Sequence, residues 1–397
     1  MLLKEKNAPG AQIKGMIPLS IPVIGGNEWK YVKDCLDTGW VSSVGSYVDS
    51  FERIFAKYLG RKYAVACVSG TAALHISLLL KGLKSDEEIV MPSLTFAAPA
   101  FAARYVGAWP VFMDVDPIYW QMDINKLQDF IKKECRWVRG KLINRHTKRT
   151  VRGILPVHIL GHPVDMTPLL KLAHDYDLWV IEDGAESLGS QYKGRKSGSF
   201  GDLACFSFNG NKVITSGGGG MIVTNDERLA KRARHLTTQA KLDPIEYVHD
   251  EIGYNYRLTN LQAAVGLAQF ENLERCIKAK EQIARRYDQG FSGFEGLTLP
   301  QQASGAKSIW WLYTVLVDQK KFGMDSRGLM KRLAQQQIQS RPLWCPLDQL
   351  KIFKSCYAHH MNVANDIYKR ALSLPSSVNL AQADQKRVIQ MIKEVGA

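Results

Sequence analysis

CFSFNGNKVITSGGGG, residues 205–220, sets a single lysine, Lys212, between an apolar run ending on Ser207 and Phe208 and four consecutive glycines. LACFSF (203–208) has the aliphatic and aromatic content of a buried strand, and MIVT (221–224) reads as a second strand entered straight from the glycines. Glycine lets a backbone turn sharply or approach a ligand more closely than a side chain would permit. A lysine on an open loop is a solvated charge, whereas one held in tight backbone can form a Schiff base with a carbonyl carbon. Its companions along the chain decide between these readings.

Outward from this stretch, from about Tyr63 to Thr224, short apolar runs alternate with helix-like segments: YAVACV, EIVM, WPVFMDV, GILPV, LWVIED, LACFSF and MIVT. Near-continuous aliphatic runs separated by helices predict an α/β fold, a mainly parallel sheet sandwiched by helices. Ligands of such sheets collect at the carboxyl ends of the strands. Ser69-Gly70-Thr71, Pro92-Ser93, Asp183 and Ser207 onward all lie just past predicted strand ends, so residues far apart in sequence can converge.

The character changes after Leu258. Residues 259–291 read as a long helical stretch, followed by a strand-like SIWWLYTVLV (308–317), a helix from about Ser326 to Gln336 and a final helix over roughly Gln382 to Val395. A chain of 397 residues exceeds the usual single core. The expected division is a large domain at 1–265 and a smaller α+β domain at 266–397. Within the first, residues 131–152 hold nine Lys or Arg against one Glu, leaving the rest of the chain at about +6 of the net +14. This stretch reads as an inserted basic hairpin. Only Trp137 is interleaved with the charges, which gives no support to a nucleic-acid stacking platform.

Seven scattered cysteines with no CxxC, and no leader pattern in MLLKEKNAPGAQIKG, lead to the expectation of reduced thiols in a cytoplasmic protein. The most apolar long stretch, 94–113, contains Pro99, Arg104 and Pro110 and reads as buried helix and strand, with no membrane span.

Two further features carry chemistry. Ser69-Gly70-Thr71 follows a strand and opens the helix AALHISLLL, where free amides and the helix dipole favour a phosphate, unless Ser69 or Thr71 serves only as a cap. The pattern lacks the P-loop lysine and is not GxGxxG, so ATP and dinucleotide sites are unsupported. Asp183 ends the buried run LWVIED, where a carboxylate needs a cation or donors; it either caps the next turn or faces a protonated ring nitrogen, with Glu186 three residues on. A lysine, a phosphate cradle and a strand-end aspartate together are what pyridoxal 5'-phosphate requires.

SGTAAL (69–74), PSLTF (92–96), VIEDGAESLGS (180–190), SFNGNKVITSGGGGM (207–221) and GYNYRLTNLQAA (253–264) carry a resemblance to the DegT/DnrJ/EryC1/StrS sugar-nucleotide aminotransferases, fold-type I pyridoxal-phosphate enzymes, over residues 16–397. By matching position, the resemblance implies Lys212 as the Schiff-base lysine and Gly70, Thr71 and Ser207 as phosphate-binding residues. It implies Phe96 as the aromatic on the cofactor ring and Asp183 as the partner of the ring nitrogen. Glu186 and Asn209 stand where many members have histidine or glutamine and histidine respectively, and Gly218 replaces a common acid. Asn255 matches a residue that reaches the neighbouring subunit's cofactor phosphate, implying a homodimer with shared active sites.

The variants at 186, 209 and 218, with HILGHPVDM and RPLW, resemble the subgroup that makes 4-amino-4,6-dideoxy-N-acetyl sugars. The implied reaction moves an amino group from L-glutamate to C4 of a nucleotide-linked 4-keto-6-deoxy sugar, UDP-4-keto-6-deoxy-N-acetylglucosamine by this resemblance. Alternatives are a perosamine-type enzyme using GDP-4-keto-6-deoxymannose, or a non-catalytic sensor on the same fold. Trp40 and Ser42 in GWVSSVG, Trp311, Tyr313, Arg341 and Trp344 match substrate positions, although a tryptophan pair in a strand also reads as core and Arg341 as a surface ion pair.

Overall fold

The computed structural model describes residues 15–243 and 245–396. Residues 1–14, which carry most of the stretch read for a leader and the start of the expected large domain, lie outside the described residues, as does Ala397.

All seven apolar runs are strands of one ten-stranded sheet. Its order is Tyr63–Cys67, Gly220–Thr224, Leu203–Ser207, Trp179–Asp183, Thr150–Ile154, Glu88–Pro92, Trp109–Met113 and Tyr357–His359, with the strands Cys135–Val138 and Lys141–Asn144 off this path. Pairing is parallel from Leu203–Ser207 through Tyr357–His359, while Gly220–Thr224 runs antiparallel to both neighbours. Alternation assigns successive residues to two cores. Ile89, Met91, Phe112 and Ile181 face one cluster; Val90, Val111, Met113 and Val180 face the other. Both faces are buried, so the runs are apolar at every position.

The basic stretch 131–152 contains the antiparallel pair Cys135–Val138 and Lys141–Asn144, which joins the sheet through Thr150–Ile154. A third core, containing Tyr287, Tyr313, Val315, Leu372 and Ile392, lies under the three-stranded sheet Leu297–Thr298, Tyr313–Val317 and Ala371–Leu374.

Three features depart from the sequence reading. A boundary at 265 falls inside the helix Asn260–Glu271, which packs on the helices Glu28–Thr38 and Ser46–Leu59; the helical stretch breaks at Asn272, and Leu273–Phe291 leads into the third core. Two segments also cross the expected division. Ile17 joins the third core through a bridge to Ile338, and Tyr357–His359 returns to the large sheet. Finally, the strand expected over 308–317 begins only at Tyr313. Ile309 and Trp311 instead donate to the carbonyls of Gly161 and Leu160, and Trp310 takes a left-handed φ of 53°. Binding to the 159–161 loop competes with strand pairing and wins.

The strand register brings Cys67, Gly220 and Ser207 side by side at one edge. Ser69 bridges Gly219, and a Cβ on Gly220 would meet the Ser69 carbonyl oxygen and lie 2.7 Å from the Gly70 nitrogen. Since both obstacles are backbone, Gly220→Ala should cost about 1–3 kcal/mol of stability in urea titration; an unchanged midpoint would contradict this close approach.

Candidate active site

The Lys212 loop is a closed excursion between two strands. Phe208 N donates to Gly219 O and Ser216 N to Phe208 O, while Lys212 N donates to Asn209 O across a tight turn (3.0 Å). Gly217 and Gly219 adopt φ of 77° and 116°, conformations that side chains rarely take, which closes the excursion. Lys212 is thereby held with a side chain only 13% exposed.

Its amine lines a cavity of about 250 Å³. Gly70, Thr71, Phe96, Asp183, Glu186, Ser207, Asn209, Trp311 and Trp344 share that cavity. The helix Gly70–Leu80 presents its N-terminus there, with the Ser69 hydroxyl capping the Ala72 amide (3.0 Å). Ser207 lies against it: a Cβ on Gly70 would stand 2.8 Å from Ser207 Cβ. Helix amides and hydroxyls at one point form a receptor for a phosphate.

Three charged groups face the same space. Lys212 Nζ lies 3.5 Å from Glu186 Oε1 and 4.1 Å from the centroid of the Trp311 ring. Asp183 accepts a hydrogen bond from the Ala185 amide (2.9 Å). Burial pushes the pKa of both Asp183 and Glu186 up, against the opposing pull of Lys212 and of backbone amides. Two nearby carboxyls with one lysine leave room for a further cation.

Residues without an assigned role in the sequence reading hold this arrangement. Leu160, at φ 57°, donates its amide to Glu186 Oε2 (2.8 Å) and its carbonyl accepts from Trp311 N (3.0 Å), which links the carboxylate to the tryptophan. The buried Lys280 donates to the carbonyls of Trp311 (2.8 Å) and Ser376, and burial lowers its pKa to about 7. HILGHPVDM was the visible trace of the first; for Lys280, one lysine in a helix of mixed charge, nothing local marks it.

Five expected site residues are not brought to the cavity. Tyr313 is a core residue: strand alternation turns it into the third cluster, where it stacks on Tyr287 and donates to Asp288 (2.6 Å). Trp40 is 57% exposed, and its carbonyl accepts from the Asn260 side chain. Ser42 is exposed and ties its carbonyl to Asn260 N (2.6 Å). Arg341 is exposed and exchanges backbone hydrogen bonds with Ser373, an extension of the small sheet. Asn255 is exposed on the segment bridging Thr238.

Comparison with known proteins identifies the lineage. The profile of the DegT/DnrJ/EryC1/StrS aminotransferase family matches residues 22–393. The chain belongs to this family. GDP-perosamine synthase of Caulobacter vibrioides is 38% identical over 382 residues, 96% of this chain and 98% of that protein. GDP-perosamine synthase of Escherichia coli O157:H7 is 36% identical over 95% of this chain and 98% of that one. A crystal structure of a family aminotransferase from Brucella abortus superposes with a TM-score of 0.85 at 29% identity, covering 94% of this chain and 95% of that one. The aminotransferase is thus of fold-type I and depends on pyridoxal phosphate.

The residues present fit that cofactor. The helix N-terminus with Thr71 and Ser207 can take the phosphate, the buried Asp183 can take a ring N–H⁺, and Lys212 can take the aldehyde carbon. Phe96 lines the cavity with Ala98, Pro99 and Ala185. A carboxyl whose folded pKa is raised contributes stability below the unfolded value of about 3.9 and loses it as pH rises. Cofactor-stripped Asp183→Asn should therefore melt higher than the stripped parent at pH 7.5, with the gap closing toward pH 4.5, and it should retain less cofactor on gel filtration. Equal melting at both pH values would show that Asp183 is not held as an uncompensated acid.

Proposed function

We propose that this aminotransferase transfers the amino group of L-glutamate to C4 of a nucleotide-linked 4-keto-6-deoxy sugar, with GDP-4-keto-6-deoxymannose as the substrate. The observation that carries the reaction is the convergence of Lys212, Asp183, Glu186 and a phosphate-receiving helix terminus on one cavity. The choice of sugar rests on the similarity to two GDP-perosamine synthases over nearly the whole chain. That similarity favours the GDP-linked sugar over the UDP-linked N-acetyl sugar expected from the variants at 186, 209 and 218. Lys212, placed at the cavity, weighs against a non-catalytic sensor.

Bound here, pyridoxal phosphate supplies an electron sink that lets an amino group pass between two carbonyl carbons. Lys212 Nζ would act as the base that lifts a proton from the substrate carbon and returns it. Glu186, oriented by the Leu160 amide, holds charge or a proton beside that amine. Asp183 would keep the ring nitrogen protonated, and Trp311 screens the amine from water on one side. Trp344, stacked parallel on Trp311 at 6.4 Å between centroids, extends that wall.

The cavity of about 250 Å³ is smaller than the roughly 300–1,000 Å³ of drug-sized ligand sites, so a nucleotide sugar needs more walls than this chain gives. A homodimer with shared sites supplies them in our reading. Leu242, Ile245, Tyr247, Val248 and Ile252 expose an apolar patch beside the GYNYR segment, suited to a second copy. Asn255, outside its own cavity, would then serve the partner subunit. Trp40, Ser42 and Arg341 remain candidates for substrate contact only through such assembly. All seven cysteines are unpaired, and no helix among the described residues is long and apolar enough to cross a membrane.

Two measurements test this. With glutamate as donor, GDP-4-keto-6-deoxymannose should give at least tenfold higher kcat/KM than UDP-4-keto-6-deoxy-N-acetylglucosamine, a difference of about 1.4 kcal/mol in transition-state binding. The reverse order would restore the N-acetyl sugar. Lys212→Ala should lose the visible absorbance of the loaded enzyme and turnover by at least the roughly 10²–10⁴-fold of positioned proton transfer. Retained turnover would remove the lysine from the mechanism.

A further inference from the structure

A second constellation lies away from the cavity, at the outer edge of the large sheet. His359 ends the edge strand Tyr357–His359, and His360 follows it with a left-handed φ of 50°. Extended neighbours point to opposite faces, but this bend brings the two rings to 4.1 Å between centroids. The bend is anchored: Lys126 Nζ and Asn362 N each donate to the His360 carbonyl at 3.1 Å. A left-handed histidine carries strain that persists only where its surroundings impose it.

Asp129, the last residue of the helix Ile124–Asp129, faces both rings. Its Oδ2 is 3.4 Å from His359 Nε2 and 4.0 Å from His360 Nε2. One ligand atom from each of the three lies within 4.8 Å of the others. His359 is only 2% exposed, yet its Nε2 has no hydrogen-bond partner, since the approach to Asp129 lacks the alignment. Leaving a buried nitrogen unpaired is costly, so an occupant that binds it is favoured.

We infer that Asp129, His359 and His360 bind one divalent cation of the zinc class. Ligand bonds of about 2.0–2.2 Å in a tetrahedral site place ligand atoms roughly 3.3–3.6 Å apart, close to the 3.4 Å between Asp129 and His359. His360, with a side chain 63% exposed, is free to rotate its ring inward. Two imidazoles and one carboxylate suit zinc, cobalt or nickel and are poor for calcium or magnesium. The fourth position is left for water. Lys133 Nζ, 2.5 Å from Asp129 Oδ1, is a competing cation that would weaken the site. Such an ion ties the edge strand to the helix that leads into the basic hairpin. The other His and acid group among the described residues, His235 with Asp250 and Glu251, is satisfied internally: His235 bonds Asp250 at 2.7 Å and Arg232 pairs with Glu251.

Titration of metal-free, cofactor-loaded full-length protein with Zn²⁺, and with Co²⁺ as a spectroscopic probe, decides the matter. One Zn²⁺ per chain should bind in the micromolar range or tighter and raise the melting temperature. The Co²⁺ spectrum should lack the thiolate charge-transfer band expected from Cys345 or Cys356. His360→Ala and Asp129→Asn should each weaken binding at least about tenfold, Lys133→Met should tighten it, and His235→Ala should leave it unchanged. No binding below about 100 μM, or equal affinity in the His360→Ala and Asp129→Asn variants, would overturn the assignment.

Discussion

The close approach of Gly219 and Gly220 to Ser69 and Gly70 is the constraint on which the site depends. It brings a helix N-terminus, the end of the Ser207 strand and the closed Lys212 loop to one point, through backbone contacts that no side chain at 220 would allow. The antiparallel strand Gly220–Thr224 makes this possible. Running against its neighbours, it starts at the edge where the parallel strands end, so its entrance and their exits meet.

On that frame, charge does the rest. Asp183 and Glu186 are buried beside a lysine, and each is held toward its neutral form. A cationic ring bound beside them would compensate these buried carboxyls. The chain Glu186–Leu160–Trp311, with Lys280 below, fixes both the carboxylate and the aromatic wall through backbone groups. Residues far from the chemistry by sequence thus control where the lysine amine sits.

Much of this was legible in the sequence. Apolar runs buried on both faces announce a parallel sheet, and strand-end polar residues announce its ligand edge, because both follow from local pattern. Lys212, Asp183, Ser207 and the 69–71 turn were found that way. What was not legible depends on tertiary competition. Ile309 and Trp311 have strong strand propensity, yet the 159–161 loop takes their amides. Tyr313 was misplaced because the strand begins only there, and its alternation turns the ring into the third core. The return of Tyr357–His359 to the large sheet has no local sign in three residues. The sugar is a finer matter still, since selectivity lies in walls that one chain does not complete.

Covalent mapping tests the account most directly. Loaded protein reduced with borohydride, digested and analysed by mass spectrometry should carry the cofactor's added mass on the peptide containing Lys212 and on no other. Labelling at another lysine, Lys280 included, or no stable label, would contradict the assignment of the 208–219 excursion as the catalytic loop.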